Sequence, residues 1–491
     1  MDPVTLQVML GALRSTCDEM GAVLVRSAHS ANIKERQDSS TALFDPAGRM
    51  VMQAEHIPVH LGAMPSAVAA VLHEEHHPGA TWILNDPYRG GTHLPDITLI
   101  SPVFAAAELI GFAANRAHHA DVGGRTPGSM PADSRTLDEE GVVISPSRLD
   151  DSLLAELAGR MRNPAQRRAD LRAQLAANRT GVARLTALAE AHGADLLHEA
   201  MDATLDYAER RTRARIAELP DGQRTAEDVL EGRDGDLVLR LRATVAGDEL
   251  ELDFAGSAGQ HDGNLNCPLA VTLSACYFAV RVLADPDVPP SAGAWRPVTV
   301  KVPEGSLLNA RPPAAVAAGN VETSSRVADL VLAAFGRALG QGTMNNLTLG
   351  NDRFTYYETL GGGQGACPDG DGPNAVHVAM SNTLNTPVEA LELEFPLRAI
   401  EYGVRRGSGG AGRRRGGDGV VRELEALEPM DYSLITERRR HAPPGAEGGE
   451  PGRPGRNLLN GDELPPKAAG SLRAGDRLRI ETPGGGGHGE A

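Results

Sequence analysis

Cysteine is scarce in this chain of 491 residues: four, at positions 17, 267, 276 and 367, none closely paired. That spacing excludes a zinc knuckle and a disulfide framework, and it fits a reducing cytoplasm. Aromatic residues make up only 3% of the chain, so the core must be built mainly from Ala, Val and Leu. Positive charge is short as well. Against 65 Asp and Glu there are 48 Lys and Arg, and the resulting charge of −17 opposes the phosphate contacts that drive nucleic-acid binding. Long apolar runs are missing: the most apolar window, 97–114, is broken by Pro102 and Glu108 and is too short to cross a bilayer. Neither nucleic acid nor a membrane is an expected partner. The start, Met1-Asp2-Pro3, has no basic region followed by an apolar run, so the cytoplasm is the expected location. No GxxxxGK[ST] phosphate loop occurs, and the one GxGxxG match singled out, 407–412, sits between no clear strand and helix and reads as a loop.

What is abundant is Gly and Pro, 56 and 33 residues, which implies many turns and close backbone approaches. Apolar spacing predicts an amphipathic helix from Asp2 to about Ser30, with Asp2 as its cap. Residues 41–44 and 49–52 flank Asp45-Pro46-Ala47-Gly48 and predict a hairpin. A helix at 65–75, a strand at 81–84 and a buried strand pair within 97–114 follow. The stretch from 150 to about 218 is rich in Ala, Leu and Arg and predicts long helices. Beyond it come a hairpin over 237–254, helices at 269–283 and 321–339, a strand at 375–380 and an exposed loop at 442–456. The Gly-rich runs 361–372 and 482–491 read either as flexible segments or as close backbone approaches. These elements predict an α+β fold with mixed sheets, hairpins and a long-helix layer. Three regions are expected, 1–149, 150–220 and 221–491.

The densest polar cluster is NDPYRGGTHLPD at 85–96 and NRAHHADVGG at 115–124, joined by the predicted strand pair. His93 and Asp96, three apart across Pro95, can face one point, and His118 or His119 could complete a metal site of two histidines and one carboxylate. A polar loop that uses His and Asp for turns and backbone hydrogen bonds is the alternative. Glu35, Asp38, His56 and His60 are further candidates, each weak alone. Successive side chains on a strand point to opposite faces, so in an extended 115–120 only one of His118 and His119 can reach the metal.

At these motifs the sequence resembles the hydantoinase B/oxoprolinase family. The resemblance is carried by SANIKERQDSSTALFD at 30–45, HIPVHLGAMP at 56–65, NDPYRGGTHLPD and HHADVGG. It continues with GNLNCPLAVT at 263–272, GNVETSSRVAD at 319–329, SNTLNTPVEALE at 381–392 and the closing TPGGGGHG. It implies a divalent metal (Zn, Mn or Fe) held by His93, Asp96 and His118, with Glu35, Asp38, His60, His119 and Asp121 as candidates to steady the ligands or meet substrate. It also implies an A-type partner subunit that binds ATP with Mg, in a hetero-oligomer. The implied activity is ATP-dependent opening of a cyclic amide such as a hydantoin, 5-oxoproline or a related lactam. The alternative is an alpha-type subunit of an ATP-dependent ketone carboxylase. The length, without the large extension of acetone carboxylase alpha subunits, favours the hydrolase.

Overall fold

The computed structural model describes residues 1–55 and 57–490. The first helix, α1 (Pro3–Ser27), begins where the Asp2 carboxylate accepts hydrogen bonds from the amides of Val4 and Thr5, both 3.0 Å. Its buried face carries Met9, Leu13, Cys17, Met20 and Leu24 at helical spacing. The predicted hairpin forms from β1 (Ser39–Phe44) and β2 (Met50–Glu55). Its turn closes with Asp45 Oδ1 accepting from the Arg49 amide and Gly48 at a φ of 75°.

Next come β3 (Trp82–Leu84), the long hairpin β4 (Asp96–Ala105) and β5 (Glu108–His118), and β6 (Ser147–Arg148). These six strands make one antiparallel sheet in the order β2-β1-β5-β4-β3-β6. Helices α2 (Pro164–His192) and α3 (Ala194–Ile216) supply the predicted long-helix layer. α2 lies between α1 and the sheet. At Gly181 a Cβ would fall 2.5 Å from the Met20 sulfur and 2.9 Å from the Ala113 Cβ, so only glycine permits that approach.

A second sheet, β10-β9-β8-β7, is formed by β7 (Gly222–Glu231), β8 (Asp236–Ala246), β9 (Glu249–Asp253) and β10 (Val298–Lys301). Helices α4 (Leu269–Leu283) and α5 (Ser324–Ala334) share its core, where Leu239, Leu241 and Leu252 join Val271, Val327 and Leu330. Two more sheets follow, drawn from β11 (Asn346–Gly350), β12 (Thr355–Glu358), β13 (Leu397–Arg405), β14 (Gly419–Ala426) and β15 (Met430–Ile435), with β16 (Arg456–Leu459), β17 (Asp462–Leu464), β18 (Lys467–Leu472) and β19 (Arg477–Glu481). Their orders are β12-β11-β15-β18 and β13-β14-β19-β16-β17. The chain is an α+β protein. None of its described helices is long and apolar enough to cross a membrane.

Four expectations are corrected. The strand at 375–380 does not form, because Ala375 and Ala379 take φ of 54° and 53°, which breaks an extended run and leaves only an isolated bridge from Val376 to Gly362. The helix at 321–339 is shorter: its start, Gly319–Thr323, is a wider π turn, and it ends at Ala334, just before Gly336 at a φ of 71°. The helix at 65–75 runs instead over Ala63–Ala69 and then loosens into turns. The loop at 442–456 is not simply exposed, since Pro443, Gly452 and Gly455 are buried. Its backbone is tied down by Gly452 donating to the Pro443 carbonyl and Gly484 to that of Arg453. The glycine runs are close approaches: the C-terminal segment threads between 363–365, 409–417 and 445–452, bonded by main-chain groups alone.

Candidate metal centre

The site is built at the end of the β4–β5 ladder, where Asp96 pairs directly with His118. The turn before β4 supplies His93. Three atoms converge there: His93 Nε2 to Asp96 Oδ1 is 3.2 Å, His118 Nδ1 to Asp96 Oδ1 is 3.1 Å, and the two nitrogens are 3.1 Å apart. All three residues are buried.

Hydrogen bonding cannot satisfy this triangle. An ionised carboxylate oxygen only accepts, so if both imidazoles donate to Oδ1, two N–H groups confront each other. If one nitrogen is deprotonated, its lone pair faces the oxygen instead. A cation at the centre satisfies all three contacts together. Three donors about 2.1 Å from one ion lie about 3.0 Å apart at octahedral angles and about 3.4 Å apart at tetrahedral ones, and the observed edges fall within that span. The donor set, two imidazoles and a carboxylate, suits Zn, Mn or Fe.

The second carboxylate oxygen is engaged from behind. Thr92 Oγ1 donates to Asp96 Oδ2 at 2.6 Å and His60 Nε2 lies 3.4 Å from it. His60 Nδ1 meets Ser40 Oγ at 2.9 Å, so a neutral His60 protonated on Nε2 takes a proton from the serine and gives one to Asp96. Burial pushes the His60 imidazole down, against the pull of Asp96. For Asp96 itself, burial alone would push the carboxyl up. The charge of His93 and the bonds from His118, His60 and His93 outweigh it and hold Asp96 well below the usual carboxylate range.

His119 points the other way, with its amide bonded to the Pro95 carbonyl and Nε2 2.9 Å from Gln174 Oε1. The Gln174 amide group donates to Ile97 O and Asn115 Oδ1, so its oxygen accepts and His119 Nε2 carries the proton. Burial lowers the His119 pKa to about 4. Asp38 contributes its carbonyl, which accepts from the His118 amide at 3.0 Å, while its carboxylate lies 3.8 Å from Arg36. Asp121 shapes the following loop: it accepts from the amides of Gly123 and Gly128 and pairs with Arg162 at 3.0 Å. Glu35 is half-buried at the end of the short helix Ala31–Lys34 and bears on Glu394, whose carboxyl burial and Glu35 push up. His56 lies outside the described residues.

Sequence reasoning missed Thr92, Arg36 and Tyr357. Thr92 stands beside His93 within the same motif, and its four-residue spacing to Asp96 was the available signal. Tyr357 has no local signal. Its ring stacks on His118, centroids 4.6 Å apart and planes inclined by 13°. A cavity of about 150 Å³ bounded by Asn32, Ala120, Phe354 and Tyr357 borders this wall, whereas clefts of about 490 and 700 Å³ lie along other loops.

A family model described as hydantoinase B/oxoprolinase matches residues 2–491. The chain is 39% identical over 528 residues to 5-oxoprolinase 1 of Arabidopsis thaliana, covering 99% of this chain and 42% of that protein. It thus spans about two-fifths of the length of the plant relative. A putative D-/L-hydantoinase chain of the B type, from a Pseudomonas species, is 30% identical, with 100% and 90% covered. Among solved structures, the ATP-dependent caprolactamase of Pseudomonas jessenii superposes with a TM-score of 0.94 at 27% identity, covering 100% of this chain and 91% of that one.

Proposed function

The chain belongs to the hydantoinase B/oxoprolinase family, and from that premise we propose that it is the metal-bearing B-type unit of an ATP-dependent hydrolase of cyclic amides. The observation that carries this reading is the buried triangle of His93 Nε2, Asp96 Oδ1 and His118 Nδ1, whose contacts hydrogen bonds cannot jointly satisfy. His93, Asp96 and His118 would hold a divalent Zn, Mn or Fe ion. Such an ion supplies Lewis acidity, which activates water or polarises a carbonyl near neutral pH. Thr92 and His60 hold Asp96 Oδ2, which keeps Oδ1 turned to the two imidazoles.

ATP with Mg is used in a separate A-type subunit, in a hetero-oligomer with this chain. Two features support that division: no phosphate loop occurs in the sequence, and this chain matches only 42% of the plant 5-oxoprolinase. The substrate class is a hydantoin, 5-oxoproline or related lactam, supported by the oxoprolinase and caprolactamase likenesses.

The test is co-expression with an A-type subunit, followed by turnover of a lactam panel with ATP, with and without bicarbonate. ATP-dependent ring opening that ignores bicarbonate is the expected result. Turnover of a ketone that requires bicarbonate would overturn the hydrolase reading in favour of a carboxylase. Robust ATPase activity of this chain alone would overturn the division of labour.

A further inference from the structure

A histidine that binds a metal through one ring nitrogen is ordinarily oriented by a hydrogen bond on the other. Neither proposed ligand follows that rule. His118 Nε2 and His93 Nδ1 are buried, and no protein group lies within hydrogen-bonding distance of either. Yet the outer torsion of an imidazole is broad, and turning His118 about it would carry Nδ1 away from Asp96. Something else must fix its plane.

The ring of Tyr357, on β12 of the C-terminal region, lies nearly flat against the His118 imidazole at 4.6 Å and is itself only 2% exposed. The Arg36 guanidinium carbon stands 4.7 Å from the centre of the same phenol ring. Arg36 is completely buried and held on three sides: it donates to the Tyr357 carbonyl at 3.3 Å, Thr359 Oγ1 at 2.9 Å and Thr383 Oγ1 at 3.1 Å. Arg36 and Tyr357 are 321 residues apart in sequence. The Tyr357 hydroxyl lies 3.4 Å from Asn346 Oδ1, at the far limit of a hydrogen bond, so the ring face is the group's main contribution.

We propose that Tyr357, backed by Arg36, is a positioning residue for the metal centre: its ring face sets the plane of His118 in place of the usual hydrogen bond on Nε2. The inference rests on the metal reading above. It makes the centre a joint product of the N-terminal sheet, which supplies the ligands, and β12, which aligns one of them. Metal affinity then depends on an aromatic face at 357 and only weakly on its hydroxyl.

The experiment is titration of the full-length apoprotein with Zn²⁺ against a chromophoric chelator, and with Co²⁺ read by its visible absorption bands. Wild type, Tyr357→Phe, Tyr357→Leu, Arg36→Lys and His118→Ala are compared, with circular dichroism and thermal unfolding as fold controls. Tyr357→Phe keeps the ring and should bind Zn²⁺ within about threefold of wild type. Tyr357→Leu should weaken binding roughly 10- to 100-fold, the range for loss of a group that orients a ligand, and alter the Co²⁺ bands. Arg36→Lys keeps the charge without the flat group and should weaken binding more than threefold. Wild-type affinity and an unchanged Co²⁺ spectrum in folded Tyr357→Leu would overturn the inference. Should that variant not fold, wild-type affinity in Arg36→Lys would overturn it. Failure of the metal reading is a separate outcome: wild type without Zn²⁺ binding, or His118→Ala binding as wild type does.

Discussion

Asp96 and His118 stand directly opposite each other at the end of the β4–β5 ladder, and this pairing brings His118 Nδ1 to 3.1 Å from Asp96 Oδ1. A strand side chain alternates faces, so a slip of one residue would present His119 instead and turn His118 toward Gln174. The Asp38 carbonyl, bonded to the His118 amide, and the Pro95 carbonyl, bonded to the His119 amide, pin that register on both sides.

Thr92 should matter to the metal more than to the fold. Its hydroxyl donates at 2.6 Å to the oxygen of Asp96 that faces away from the imidazoles. Thr92→Val preserves shape and removes the donor, so Zn²⁺ affinity should fall roughly 10- to 100-fold. The loss of folding stability should stay near ~2 kcal/mol, the scale of one buried bond to a charged group. Chelator competition and urea unfolding on the same preparation measure the two effects.

Glu322 should make stability depend on pH. Burial, then the nearby charge of Glu437, push its carboxyl up to about 8, and its Oε2 is buried with no hydrogen-bond partner. A folded-state pKa above the unfolded value means that the folded chain holds the proton more tightly. The stabilisation is complete below about pH 4.3, the ordinary glutamate value, and is lost as pH rises toward 8. Glu322→Gln mimics the protonated form, so its thermal midpoint should fall less than that of wild type between pH 5 and 8. Parallel curves for the two proteins would contradict this.

Two glycines should respond in opposite ways to a single methyl group. A Cβ at Gly485 would fall 2.0 Å from the Gln364 carbonyl oxygen, a backbone atom with nowhere to go, whereas at Gly403 on β13 nothing lies within 4 Å. Gly485→Ala should cost about 3 kcal/mol or more by overpacking. Gly403→Ala should be neutral or slightly stabilising, because alanine restricts the unfolded chain. Thermal unfolding of both variants checks the contrast.

Local chemistry made much of the fold legible in the sequence. The Asp2 cap, the Asp45–Gly48 turn and the strand pair around 97–114 each depend on residues within a dozen positions, and each forms. The gathering of His93, Asp96 and His118 was legible for the same reason, since a single hairpin returns the chain to its starting point. What could not be read is long-range. Tyr357 reaches His118 only through the packing of β12 against the N-terminal sheet. The glycine runs gave no sign that they would pack on one another, because extended glycine has no side-chain period to follow. The failed strand at 375–380 had the right composition, but tertiary contacts hold Ala375 and Ala379 at positive φ.

The adjacent histidines offer the most direct test of the metal centre. Wild type, His118→Ala and His119→Ala are purified identically, shown by circular dichroism to share one fold, and assayed for Zn, Mn and Fe per chain by elemental analysis. About one ion per chain should be present in wild type, little in His118→Ala, and most of the wild-type content in His119→Ala, whose Nε2 is committed to Gln174. Metal kept by His118→Ala and lost by His119→Ala would contradict the assigned face of the strand, and metal kept equally by both would contradict the triad itself.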